Sequence, residues 1–124
     1  MILIDSSVWI DHLRSKNEYL FNLLQEGRVY MHPFVLGELA CGHLKNRSTI
    51  LSLLADLPMI KVATEIEVLH LIESRKLMGK GIGYVDVHLL ASLMLSPGIK
   101  LHTGDLRLQS VAAELKLAEK ITMY

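Results

Sequence analysis

The sequence predicts an α/β fold of three layers, α/β/α, with a central, mainly parallel sheet of four to five strands. Three observations predict it. Short strand-like segments, such as the apolar run Met1–Ile4 and the segment Ile99–His102, alternate with longer stretches of helical period. Helix-start signals follow those runs directly, as in strand–helix units whose helices cover both faces of a parallel sheet. The 124 residues carry no repeat and no linker, so a single domain spanning 1–124 is expected.

The elements follow in order. Met1 to Ile4 reads as a buried strand ended by the cap signal Asp5-Ser6-Ser7. A helix with Trp9, Ile10 and Leu13 comes next, then another from Tyr19 to Gln25, stopped by Gly27. Arg28 to Met31 is a second strand. His32-Pro33 opens a helix carrying Val35, Leu36, Leu39 and Ala40, with proline at a tolerated first-turn position. Ser48 to Leu54 is helical, and Pro58 precedes a third strand near Met59 to Val62. Thr64 and Glu67 match a capping box, whose helix is predicted to reach about Met78. Gly79, Gly81 and Gly83 make a mobile loop. Val85 to Leu95 is an apolar helix stopped by Pro97-Gly98. Ile99 to His102 is a fourth strand, Leu106 to Leu115 a last helix, and Ile121 to Tyr124 a short terminal strand.

Hydrophobic residues make up 51% and charged ones 21%, which excludes a disordered or low-complexity chain. The mean hydropathy of +0.34 raises the question of a membrane. The longest stretch without an acidic or basic residue, Val87 to Ile99, has thirteen residues, short of the roughly 18 a spanning helix needs. Met1–Ile4 runs into Asp5 with no basic flank, so no secretory leader is expected. Cys41 is the only cysteine, which precludes an internal disulfide and fits the cytoplasm. Thirteen basic residues balance thirteen acidic ones, which argues against sequence-blind coating of nucleic acid.

Most acids, Glu119 among them, sit where solvated charges normally do. Four do not. Asp5 ends the apolar first strand; Glu38 is the only charged residue between Phe34 and His43; Asp86 is the only one between Ile82 and Ile99; Asp105 lies just beyond the last full strand. Taken singly, each has a plain structural explanation: a helix cap, an exposed helix residue, a first-turn acid and a turn residue. As a set they call for cations, because a buried carboxylate without a partner costs several kcal/mol or becomes protonated. Ligands of open parallel sheets bind beyond the carboxyl ends of the strands, where Asp5 and Asp105 fall. Hard oxygen donors without an obligatory Cys or His select Mg²⁺ or Mn²⁺ over zinc. Such sites polarise phosphate and activate water, as in metal-dependent nucleases.

Lesser signals are structural or auxiliary. Arg75, Lys76 and Lys80 precede the glycine loop and, with Arg107, are candidates for holding a nucleic-acid backbone; a solvated helix end explains the first three equally well. Trp9 is expected in the core or at a dimer contact. Met59, Met78 and Met94 are expected to pack, and Cys41 to be a small buried hydrophobe.

With these residues in view, the sequence resembles the PIN-domain ribonucleases, specifically the VapC-type toxins of toxin–antitoxin pairs. Met1-Ile2-Leu3-Ile4-Asp5-Ser6-Ser7 resembles the family's opening strand, and Leu36-Gly37-Glu38-Leu39 its second acidic segment. Ile82-Gly83-Tyr84-Val85-Asp86 is similar to the third, and Leu101-His102-Thr103-Gly104-Asp105 to the final Thr-x-Asp segment. The resemblance implies that Asp5, Glu38, Asp86 and Asp105 hold one or two Mg²⁺ or Mn²⁺ ions, oriented by Ser6 or Ser7 and by Thr103. It also implies RNA as substrate, a homodimer, and an inhibiting VapB-type antitoxin. His102, at a position often apolar in the family, and the glycine-rich loop depart from the pattern. An inactive PIN-fold binding module is the alternative, with a Mg²⁺-binding phospho-receiver behind it. The receiver lacks an Asp after the Met59–Val62 segment and a Lys after the last full strand.

Overall fold

The computed structural model describes residues 1–119. Strand β1 (Ile2–Ile4) runs into helix α1 (Ser6–Arg14), followed by α2 (Glu18–Gln25) and strand β2 (Val29–Tyr30). Helices α3 (Pro33–Ala40), α4 (Arg47–Ala55), α5 (Glu65–Ser74) and α6 (Tyr84–Met94) precede strand β3 (Lys100–His102), and α7 (Leu106–Glu114) follows it. The strands lie in the order β2-β1-β3, and both pairings are parallel. Ile2 stands opposite Val29 and Lys100, and Ile4 opposite His102.

β1 is central and buried along its whole length, which is why it reads as an unbroken apolar run rather than an alternating one. The chain leaves β1 for one flank and returns to the other, so the direction of winding reverses beside β1. The crevice at the carboxyl end of β1 and β3 is therefore the place where such sheets bind ligands. α6 is equally central. Every residue from Val87 to Leu93 is buried, including His88 and Ser92, which accounts for the uncharged stretch in the sequence. None of the described helices is long and apolar enough to cross a membrane.

The sheet has three strands among the described residues, fewer than the four to five predicted. The Met59–Val62 segment makes only a single parallel bridge, Met31 to Met59, held by Met31 N–H to Pro58 O (2.8 Å) and Ile60 N–H to Met31 O (2.9 Å). It leaves the sheet at once because Met59 and Val62 are both exposed and only Ile60 and Ala63 are anchored in the core. A similar bridge, Leu101 to Ala118, covers the outer edge of β3. The strand expected at Ile121–Tyr124 lies outside the described residues.

α5 ends at Ser74 rather than near Met78. Lys76 turns left-handed (φ 53°), and Leu77 N–H reaches back to Ile72 O at 2.9 Å, carrying Leu77 into the core. Met59, Met78 and Met94 are exposed, and Cys41 is too, so none is the packing residue expected; Met31 fills the core instead. Trp9 is a core residue. Glu119, expected in solvent, is largely covered: it lies 3.2 Å from His102 Nδ1 and accepts a hydrogen bond from the Tyr19 hydroxyl.

Candidate metal centre at the carboxyl edge of the sheet

Asp5 is the anchor. It is buried as β1 passes into α1, and its backbone N–H donates to His102 O at 3.0 Å, closing β1 onto β3. Its Oδ1 accepts the Ser6 N–H at 2.8 Å. Its Oδ2 accepts the hydroxyls of Ser7 at 3.0 Å and Thr103 at 2.7 Å. Those hydroxyls are themselves fixed, since Gly104 N–H donates to Ser7 Oγ (3.1 Å) and Asp105 N–H to Thr103 Oγ1 (3.0 Å). Ser6, Ser7 and Thr103 thus satisfy this buried carboxylate with amide and hydroxyl donors, and among the described residues no Lys or Arg pairs with it.

The other two aspartates also sit at helix starts. Asp86 accepts the Gly83 N–H at 3.0 Å from the first turn of α6. Asp105 caps α7, accepting from Arg107 N–H at 2.9 Å and Leu108 N–H at 3.1 Å. Three helix N-termini thus each contribute amide donors and dipole to one carboxylate. The plain capping explanation is true of Asp5 and Asp105, and it coexists with the clustering. Asp86 supplies only the half of a capping box that needs no side chain at the cap, its carboxylate accepting the Gly83 amide, and the Gly104 amide's part had no sequence signal.

Glu38 projects from α3. Partial loss of water raises its carboxyl above the usual range; the nearby Ser6 hydroxyl opposes this, and the negative charges of Asp5 and Asp86 push it further up. Asp86 is raised by burial as well, against the Gly83 amide, with Asp5 and Asp105 adding to the rise. The four acids therefore feel one another, and among the described residues none forms an ion pair with Lys or Arg. Only Asp5 is fully buried; Asp86 is half-buried, and Glu38 and Asp105 face solvent. In chemistry the donor set suits a hard divalent cation. In position it is open: as the side chains stand, no three His, Cys, Asp or Glu residues among those described are grouped to hold an ion.

The PIN domain family model matches residues 2–114. The chain belongs to the PIN-domain family. Two relatives, each named "Ribonuclease VapC32", come from Mycobacterium tuberculosis strains CDC 1551 / Oshkosh and ATCC 25618 / H37Rv. Each is 45% identical over 124 aligned positions, covering 98% of this chain and 100% of the relative, which makes this PIN domain a VapC-type member.

The basic residues of this PIN domain fall in different places. Arg75 caps α5 and lines a groove with Ala91 and Met94 in the second half of α6 and Leu95 just beyond it, away from the turn that carries Asp86. Lys76 is exposed at the left-handed turn. Lys80 pairs with Glu114 at 3.3 Å, and Arg107 lies against the glycine loop. Beside Glu38 opens a cleft of about 300 Å³ lined by Ile10, Leu13, Arg14, Leu39 and His43.

Proposed function

We propose that this chain is a metal-dependent endoribonuclease, the toxin of a toxin–antitoxin pair, with Asp5, Glu38, Asp86 and Asp105 holding Mg²⁺ or Mn²⁺. The observation that carries the reading is the mutual influence of four carboxylates, drawn from four separated segments of a parallel α/β fold, none of which has a basic partner among the described residues. Membership of the PIN family and likeness to proteins named ribonuclease support it.

A bound divalent ion would supply Lewis-acid polarisation of a phosphodiester and a lowered pKa for attacking water. The chain's own residues do the rest. Asp5, fixed by Ser6, Ser7 and Thr103, is the pre-oriented donor, and Asp86 and Asp105 complete the set from two further helix starts. Glu38, on the exposed rim with a raised carboxyl, is suited to orient water and accept its proton. No nucleophilic side chain is required. Arg75, Lys76, Lys80 and Arg107 are the candidates for RNA backbone contacts. A cytoplasmic homodimer silenced by a VapB-type antitoxin completes the reading.

Incubating the purified protein with RNA and Mn²⁺, with and without EDTA, tests it. Cleavage that needs the metal and is lost in Asp5→Asn is expected. Metal-independent cleavage, or full activity in Asp5→Asn, refutes the assignment.

A further inference from the structure

Arg107, in the first turn of α7, lies across the glycine loop that leads to Asp86. A Cβ built on Gly81 would meet Arg107 Cδ at 2.8 Å, Nη1 at 3.1 Å and Nε at 3.3 Å. Gly81 also has φ +79°, a conformation that L side chains rarely adopt. The bare backbone is thus a saddle on which the arginine rests. Its neighbour Lys80 is committed to Glu114 of the same helix. Arg107 is not: its side chain is exposed, and among the described residues it pairs with no carboxylate. That is unexpected two residues from Asp105, whose carboxylate takes the backbone amides of Arg107 and Leu108 instead.

We propose that Gly81 and Arg107 form a phosphate clamp, in which the glycine saddle holds the guanidinium ready for a backbone phosphate of RNA crossing the acidic cluster. This rests on the endoribonuclease reading and names the group that grips the substrate beside its acids. A guanidinium presents donors in a planar fork that matches two phosphate oxygens. An arginine free to swing would collapse onto Asp105 or Asp86 and compete with a cation for them. Seated on Gly81, it leaves those oxygens free. Arg107 is the binding residue and Gly81 the positioning residue.

Cleavage and binding of a single-stranded RNA by the full chain in Mn²⁺ test the clamp, using Arg107→Ala, Arg107→Lys, Gly81→Ala and the Gly81→Ala/Arg107→Ala double variant. Arg107→Ala is expected to raise KM about tenfold with a smaller change in kcat, and to reduce the salt slope of RNA binding by about 0.7. Arg107→Lys recovers only part, lacking the fork. Gly81→Ala reproduces the KM of Arg107→Ala, and the double variant is no worse than either. Thermal melting accompanies each variant: if Gly81→Ala loses stability, removing the arginine relieves the clash part of that loss. Wild-type KM and salt slope in Arg107→Ala overturn the clamp while the nuclease reading stands. Losses that multiply in the double variant overturn the seating, because Gly81 then acts through the loop and Asp86. A wild-type protein that neither cuts nor binds RNA overturns both readings.

Discussion

Thr103 Oγ1 donates to Asp5 Oδ2 at 2.7 Å, joining residues 98 positions apart. The same hydroxyl accepts the Asp105 N–H at 3.0 Å, so one side chain fixes one candidate ligand and the backbone of another. Thr103→Val keeps the shape and deletes the hydroxyl. Cleavage or apparent metal affinity is expected to fall about tenfold, the lower end of the usual range for groups that orient ligands. Stability is expected to fall by about 1 kcal/mol. Thr103→Ser restores both. Metal titrations of activity, read beside melting curves, check this; a Thr103→Val protein with the wild-type metal midpoint sinks it.

Without metal, the acids strain the fold. Glu38 and Asp86 are both raised by lost water and by neighbouring carboxylates. Their contribution is most favourable below the unfolded carboxylate range of about 4, and it is lost as pH rises through their higher folded values. Asp86→Asn keeps an oxygen for the Gly83 amide and removes a charge. In EDTA above pH 6 it is expected to melt at or above the wild-type temperature. Mn²⁺ at about 100 times its Kd is expected to stabilise the wild type by about 2.7 kcal/mol and the variant far less. Equal metal-induced shifts in both proteins contradict the site.

Asp105 carries two roles that one substitution separates. Asn and Asp are nearly equal as N-caps, so Asp105→Asn is expected to leave the melting temperature close to that of the metal-free wild type while lowering cleavage. Asp105→Ala is expected to lose about 1 kcal/mol of stability as well. Should Asp105→Asn cleave as well as wild type, the residue is a cap alone.

His32 is a buried switch on stability. Its Nδ1 accepts the Phe34 N–H at 3.0 Å, so the proton resides on Nε2, which donates to Ser92 Oγ at 3.0 Å. Burial first, and the nearby His88 second, lower its pKa to about 4. The unfolded chain binds this proton more readily, so the stability is fully present above about pH 6.5 and drains as pH falls through 4. Between pH 7 and pH 4 the wild type is expected to lose up to about 3 kcal/mol from this group. His32→Asn retains a capping residue but lacks that loss. Urea midpoints across this range check it: parallel pH profiles for the two proteins rule out the assignment.

The order of elements and the four acids were legible because both are local facts. β1 shows as an apolar run because it is covered on both faces, α6 as an uncharged stretch because it is central, and α5 by its capping box. Asp5, Glu38, Asp86 and Asp105 stood out as charges in apolar or strand-end settings. Where pattern failed, a tertiary contact had overridden it. Met59–Val62 has strand-like residues, but Met31, just past β2, engages only one of them, and Leu77 ends α5 by entering the core. Glu119 has the sequence setting of a surface charge, but Tyr19 and His102, distant in sequence, cover it.

The sequence by itself determined which residues are strands, helix starts and misplaced acids, since period, capping and desolvation act within a few residues of chain. Only the tertiary structure decided which of those acids meet. Asp5 and the backbone of Asp105 are joined through Thr103 because β1 pairs directly with β3. It also decided that Arg107 rests on Gly81 instead of on an acid, because only packed chains bring a left-handed glycine beneath a side chain 26 positions away.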